Sequence, residues 1–184
     1  EKANAMGPST IDPRTGEILE ADIIWWHNVQ SLISEWIVVQ TGAVDSRARS
    51  LELPIELIGD AVRFVACHEA GHSLGLRHNM IASAAYPTDS LRSATFTSRM
   101  GGTSASIMDY ARFNSVAQPG DEVKVMSPNI GPYDFMAIEW GYRWYPAGTN
   151  EDKVLTDLLA KYQGKEYRYS ETQPQRSAVD PRAL

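Results

Sequence analysis

The chain has 184 residues, a formal charge of −6, 43% apolar residues and one cysteine, a profile that fits one globular domain with a real core. The acidic balance, with no Lys/Arg cluster to offset it, argues against a nucleic-acid partner. No apolar run approaches the ~20 residues of a membrane span, and Cys67, standing alone, excludes an internal disulfide.

The opening EKANAMGPST lacks both an initiator Met and an apolar signal core, so a piece of a longer chain or a mature form is expected. Residues 8–24 read as a β-hairpin: Asp12-Pro13 starts a turn, Gly16 closes it, and Leu19, Ala21 and Ile23 alternate with Glu20 and Asp22 as on a half-buried strand. From Trp25 the period becomes helical. Trp25, Trp26, Val29, Leu32, Ile33, Trp36 and Ile37 share one face that ends near Gly42. A polar connection over 43–53 leads to a second helix that starts after Pro54 and carries Leu57, Ile58, Ala61, Val62, Val65 and Ala66. Residues 83–106, rich in Ser, Thr and Gly, are expected to be mostly loop with a short helix after Thr88. Residues 131–144 suggest an amphipathic helix packed through Phe135, Ile138 and Tyr142. Thr149 is placed to cap a last helix that ends by Gly164, and the polar tail 165–184 is expected to be extended or disordered. Residues 1–164 are therefore read as one domain.

The second helix runs into HEAGHSLGLRH, residues 68–78, which holds three of the four histidines. At roughly one in twenty per position, the five fixed residues of H-E-x-x-H-x-x-G-x-x-H arise by chance in such a chain less than about once in ten thousand. His68 and His72, four apart, leave one helix face a turn apart and can bind one metal ion. On a continuing helix His78 would lie about 15 Å beyond His68, so the helix must break between His72 and His78. Gly75 supplies that break, with Leu74 and Leu76 expected to anchor the turn in the core. Three neutral imidazoles with a fourth position open describe a catalytic zinc site. Glu69, rotated ~100° from His68, is placed to reach a metal-bound water as general base rather than to ligate. Cys67 points the other way as an inert thiol. His27, Asp109 and Asp134 carry no chemistry in this reading, the two aspartates serving as structural acceptors.

HEAGHSLGLRH resembles the long zinc-binding signature of the metzincin metalloendopeptidases, the clan of astacins, serralysins, matrixins and adamalysins. SIMDY, residues 106–110, resembles their methionine turn, closest to the serralysin and astacin form. The helix from Tyr133 to Ile138 is similar to the one after that turn, and DPRTGEILEADI to the sheet edge that receives substrate. The resemblance implies an α+β zincin fold: a twisted sheet edge, a zinc-binding helix, the methionine turn and C-terminal helices. It implies one catalytic zinc ion and a protein or peptide substrate, with Met108 packed under the metal and Tyr110 steadying the transition state. It further implies substrate laid along Leu19, Glu20 and Ala21, and an extracytoplasmic location. It looks most like the catalytic part of a large bacterial zinc metalloprotease group. Two features depart from the clan. Asn79 follows the third histidine in place of a common family marker, and one hairpin precedes the zinc helix where several strands are usual, so an incomplete upper sheet and a longer native chain are expected. Calcium, common among such enzymes, is left open; no loop has EF-hand spacing.

Between His78 and Met108 the chain must return to the floor of the site, which makes this segment the natural wall of a substrate pocket. Tyr86, Leu91, Phe96 and Met100 are the candidates to line it, with Gly101-Gly102 as a hinge. Two other functions share the ligands: a non-catalytic binding module on the same scaffold, and a zinc hydrolase of non-peptide substrates. The presence of Glu69 favours an enzyme, because a scaffold can lose the base without structural penalty.

Overall fold

A computed structural model describes residues 5–50 and 52–171. Strands β1 (Ser9–Ile11) and β2 (Ile18–Ala21) pair antiparallel, with an irregular register between Thr10 and Ile11, and a bridge from Met6 to Ile24 extends the ladder. The turn is built as its residues dictate: Asp12 accepts from Arg14 N at 2.8 Å, and Gly16 takes φ +77°. The hairpin is not half-buried as its alternation suggests. Leu19 is 61% exposed and Ile23 50%, because no second layer covers that face among the described residues.

Helix α1 (Val29–Thr41) starts later than its periodicity suggests, since Trp25 and Trp26 precede it as packed but non-helical residues. Its Val29, Ile33 and Ile37 are buried against Ala61 of α2 (Ile55–Ser73), and Phe113 closes the cluster. The connection between the helices is not wholly polar: a 3-10 turn at Ser46–Arg49 buries Ala48.

Beyond the second helix the segment 83–106 holds the expected short helix at Thr88, α3 (Thr88–Leu91), and a second one, α4 (Ala94–Met100), capped by Ser93 and closed by Gly101 at φ +71°. Tyr86, Leu91, Phe96 and Met100 pack with Ala82 and Ala105 into a core of their own. Gly102 is buried, and a Cβ there would meet Asn129 N at 2.9 Å.

Helix α5 (Pro132–Tyr142) buries Asp134 and Met136, whereas Phe135 is 69% and Tyr142 55% exposed. The expected face is therefore rotated, because a buried carboxylate rather than an apolar stripe sets which side faces in. Helix α6 (Glu151–Leu159) is capped by Asn150, one residue after Thr149, and ends before Gly164. Residues 165–171 are not a free tail. Met80 N donates to Ser170 O at 2.8 Å, Tyr169 stacks on Tyr133, and Arg77 pairs with Glu171. The rest of the expected tail, 172–184, lies outside the described residues. No helix among those described is long and apolar enough to cross a membrane.

Candidate metal centre

The helical spacing delivers His68 and His72 to one face, and the break that His78 requires occurs where glycine permits it. Gly75 adopts φ +82°; its N–H donates to His72 O at 2.9 Å, and Leu76 N–H reaches back to Gly71 O at 2.9 Å. This is the double bond of a Schellman stop. Leu76 packs against the core below, but Leu74 is 46% exposed, so only one of the two leucines anchors the turn.

The three histidines converge, each offering a ring nitrogen within 4.8 Å of the others. Two outer nitrogens are occupied by main-chain carbonyls: His68 Nδ1 lies 2.8 Å from Ile107 O, and His72 Nδ1 2.9 Å from Leu76 O. Such partners fix the tautomer and leave Nε2 as the ligand atom. His72 Nε2 faces His78 Nε2 at 3.1 Å. Two ligands of a tetrahedral zinc at ~2.0–2.1 Å would stand about 3.3 Å apart, so the donor set fits the ion. Burial holds His68 near a pKa of about 4 and lowers His78 as well, keeping both rings in the neutral form that a metal requires.

Glu69 is buried, its carboxylate makes no hydrogen bond among the described residues, and it lines the same cavity as the histidines. Burial raises its pKa. Tyr110 stands beside the third histidine, its hydroxyl 3.0 Å from His78 Nε2, and burial raises its pKa too.

The floor explains a residue that sequence reading passed over. Met108, fully buried, sets its thioether directly under Gly71, where any Cβ would collide with the sulfur. The glycine of HEAGH, Gly71, is therefore a packing requirement of the methionine, and the signal was present in the motif. Asp134 braces the same turn, accepting from Ser106 Oγ at 2.6 Å and from Ile107 N and Gly131 N at 2.7 Å. Asp109 accepts from Ser83 N and, at 3.4 Å, from Ser104 Oγ. Asn79 is buried beside the third histidine. Its N–H donates to Met108 O at 3.0 Å, while its side chain donates to Arg168 O at 2.8 Å and accepts from Ser170 N at 3.0 Å. Nothing local in the sequence announces that tie.

A cavity of about 670 Å³ opens beside the histidines, walled by Ala5–Pro8, Trp26, Leu32, Trp36 and Val65 and reaching Tyr110 and Arg112. Tyr86, Leu91, Phe96 and Met100 do not line it, because they are committed to their own core. Leu19, Glu20 and Ala21 do not line it either; the hairpin meets the cleft through the residues that precede β1. Gly7 packs on α2 so closely that a Cβ would lie 2.7 Å from Glu69 O and 2.8 Å from His72 Cβ.

A helix that presents two histidines, a glycine stop that returns a third, and a buried methionine beneath them define a zincin with a methionine-supported floor. The model of the Met-zincin family matches residues 50–184, and the chain belongs to that family. That membership implies a zinc-dependent metalloprotease acting on peptides, and the mixed helix-rich fold with its small sheet accords with it. No curated protein and no solved structure matches the chain.

Proposed function

We propose that the chain is an endopeptidase whose zinc is held by His68, His72 and His78, with Glu69 as proton carrier and Tyr110 as oxyanion donor, the arrangement of the serralysin and astacin forms. The observation that carries this is the convergence of three imidazoles beside a buried carboxylate that accepts no hydrogen bond among the described residues. When bound, zinc supplies Lewis acidity, polarising the scissile carbonyl and acidifying the attacking water. Glu69 takes the proton from that water and returns it to the departing amine; its raised pKa brings it nearer the range where both transfers are efficient. The Tyr110 hydroxyl donates to the developing oxyanion, for which it must leave its contact with His78.

The substrate backbone runs along residues 5–8 rather than along Leu19–Ala21. Met6 exchanges both of its main-chain hydrogen bonds with Ile24, so by alternation Gly7 directs its N–H and C=O to the opposite edge, toward the cleft, where an extended peptide can add as a strand. The work of such an enzyme is extracytoplasmic in this reading. Elemental analysis and turnover of an unfolded protein substrate test the assignment together. His68→Ala is expected to lose stoichiometric zinc, and Glu69→Gln to keep zinc while losing at least about a hundredfold in rate. Full zinc in the first variant, or near-native turnover in the second, would overturn it.

A further inference from the structure

Among the described residues lining the cavity Arg112 carries the one cationic side chain, and no described carboxylate forms an ion pair with it, Asp109 acting on its charge only from farther away. Its guanidinium lies 4.1 Å over the ring of Trp36 and 5.0 Å from that of Tyr110. Both are contacts of the cation with a ring and use none of its N–H donors. None of them makes a hydrogen bond or ion pair among the described residues. The residue is half-buried, and desolvation disfavours its charge. Its backbone is held at φ +60°, a conformation that costs a non-glycine residue free energy. A charge that is partly desolvated, aimed by two aromatic rings and held on a strained backbone beside Tyr110 is poorly explained as packing.

We propose that Arg112 is a specificity residue that receives a carboxylate of the bound peptide, so that the enzyme selects substrates with an anionic group close to the scissile bond. The inference rests on the metallopeptidase reading above. The planar fork of the guanidinium matches a carboxylate through two parallel N–H···O bonds, and Trp36 and Tyr110 hold it preorganised for that geometry. The carboxylate has two sources, a chain terminus or an Asp/Glu side chain. The first would make cleavage favour bonds near peptide ends, and the second would make it favour acidic positions within chains.

The test uses the zinc-loaded full chain and three matched hydroxamate tripeptides. One ends in a free carboxylate; the second ends in an amide; the third keeps the amide and carries Glu where the others carry Gln. Calorimetry on the wild type should show at least one carboxylate probe binding about tenfold or more tighter than the neutral one, and which one identifies the source. Arg112→Gln should erase that preference while still holding zinc and binding the neutral probe, and Arg112→Lys should keep part of it. Equal affinity of all three probes for the wild type overturns the proposal without any variant being folded, as does a preference that survives Arg112→Gln. If the wild type holds no zinc and binds none of the probes, the metallopeptidase reading itself falls, and this inference with it.

Discussion

The floor beneath the histidines and the hairpin above them are built on opposite terms. From Gly102 to Asp109 every residue is buried, and the main chain is pinned by Asp134, Ser104 and Ser106. Across residues 9–24 only Asp12 is buried, and large apolar side chains such as Leu19 and Ile23 stand in solvent. The difference follows from what each must do. A ligand cage tolerates errors of only a fraction of an ångström, so His68 is oriented by a carbonyl of the floor itself, Ile107 O. The hairpin over 9–24 supplies none of the three histidines and is under no such constraint.

If that contrast is real, damage to the floor should be large and damage to the rim small. Asp134→Ala removes the acceptor of three donors, two of them main-chain N–H groups, and leaves them buried. A loss of about 3–5 kcal/mol is expected in chemical denaturation. A loss below about 1 kcal/mol would mean that the floor is not braced from α5.

Acid should act next. In the metal-free protein His68 has a folded pKa of about 4 against an ordinary value of 6.5, so the unfolded chain binds a proton that the folded chain refuses. Its contribution is complete above about pH 6.5, declines as pH falls, and is gone near pH 4. The total is on the order of 2–3 kcal/mol, with His78 acting in the same direction. Melting the metal-free chain across that window checks the sign: stability that rises on acidification would contradict the burial of His68.

A smaller effect separates the two regions more finely. Gly71→Ala pushes one methyl into the Met108 sulfur, and a cost of about 1–3 kcal/mol is expected, partly relieved because methionine can shift. Gly71→Ala combined with Met108→Leu should be non-additive, since the two positions touch. Additive effects would separate the glycine from the methionine.

At the rim, Leu19→Thr should change stability by no more than about 0.5 kcal/mol, since the side chain is already in water. A thermal scan showing a loss above about 2 kcal/mol would mean that the hairpin carries a covered face after all.

What the sequence determined was whatever obeys short-range rules. The four-residue step from His68 to His72, the stop at Gly75, the Asp12–Gly16 turn and the α1 face all follow from helix period and backbone sterics, and each is found in the structure. Those rules fail wherever a partner from elsewhere in the chain decides the outcome. Phe135 is exposed because Asp134 is claimed by Ser106 and Ile107 on another segment, and Tyr86 leaves the cleft because Phe96 and Ala105 enclose it. Residues 165–171 are ordered because Asn79 bonds to Arg168 O and Ser170 N, 89 and 91 positions away. Gly7 on Glu69, Gly71 over Met108 and Arg112 against two rings are of the same kind. Periodicity says which face of an element is apolar; only the packed fold says what that face, or the polar residue beside it, will touch.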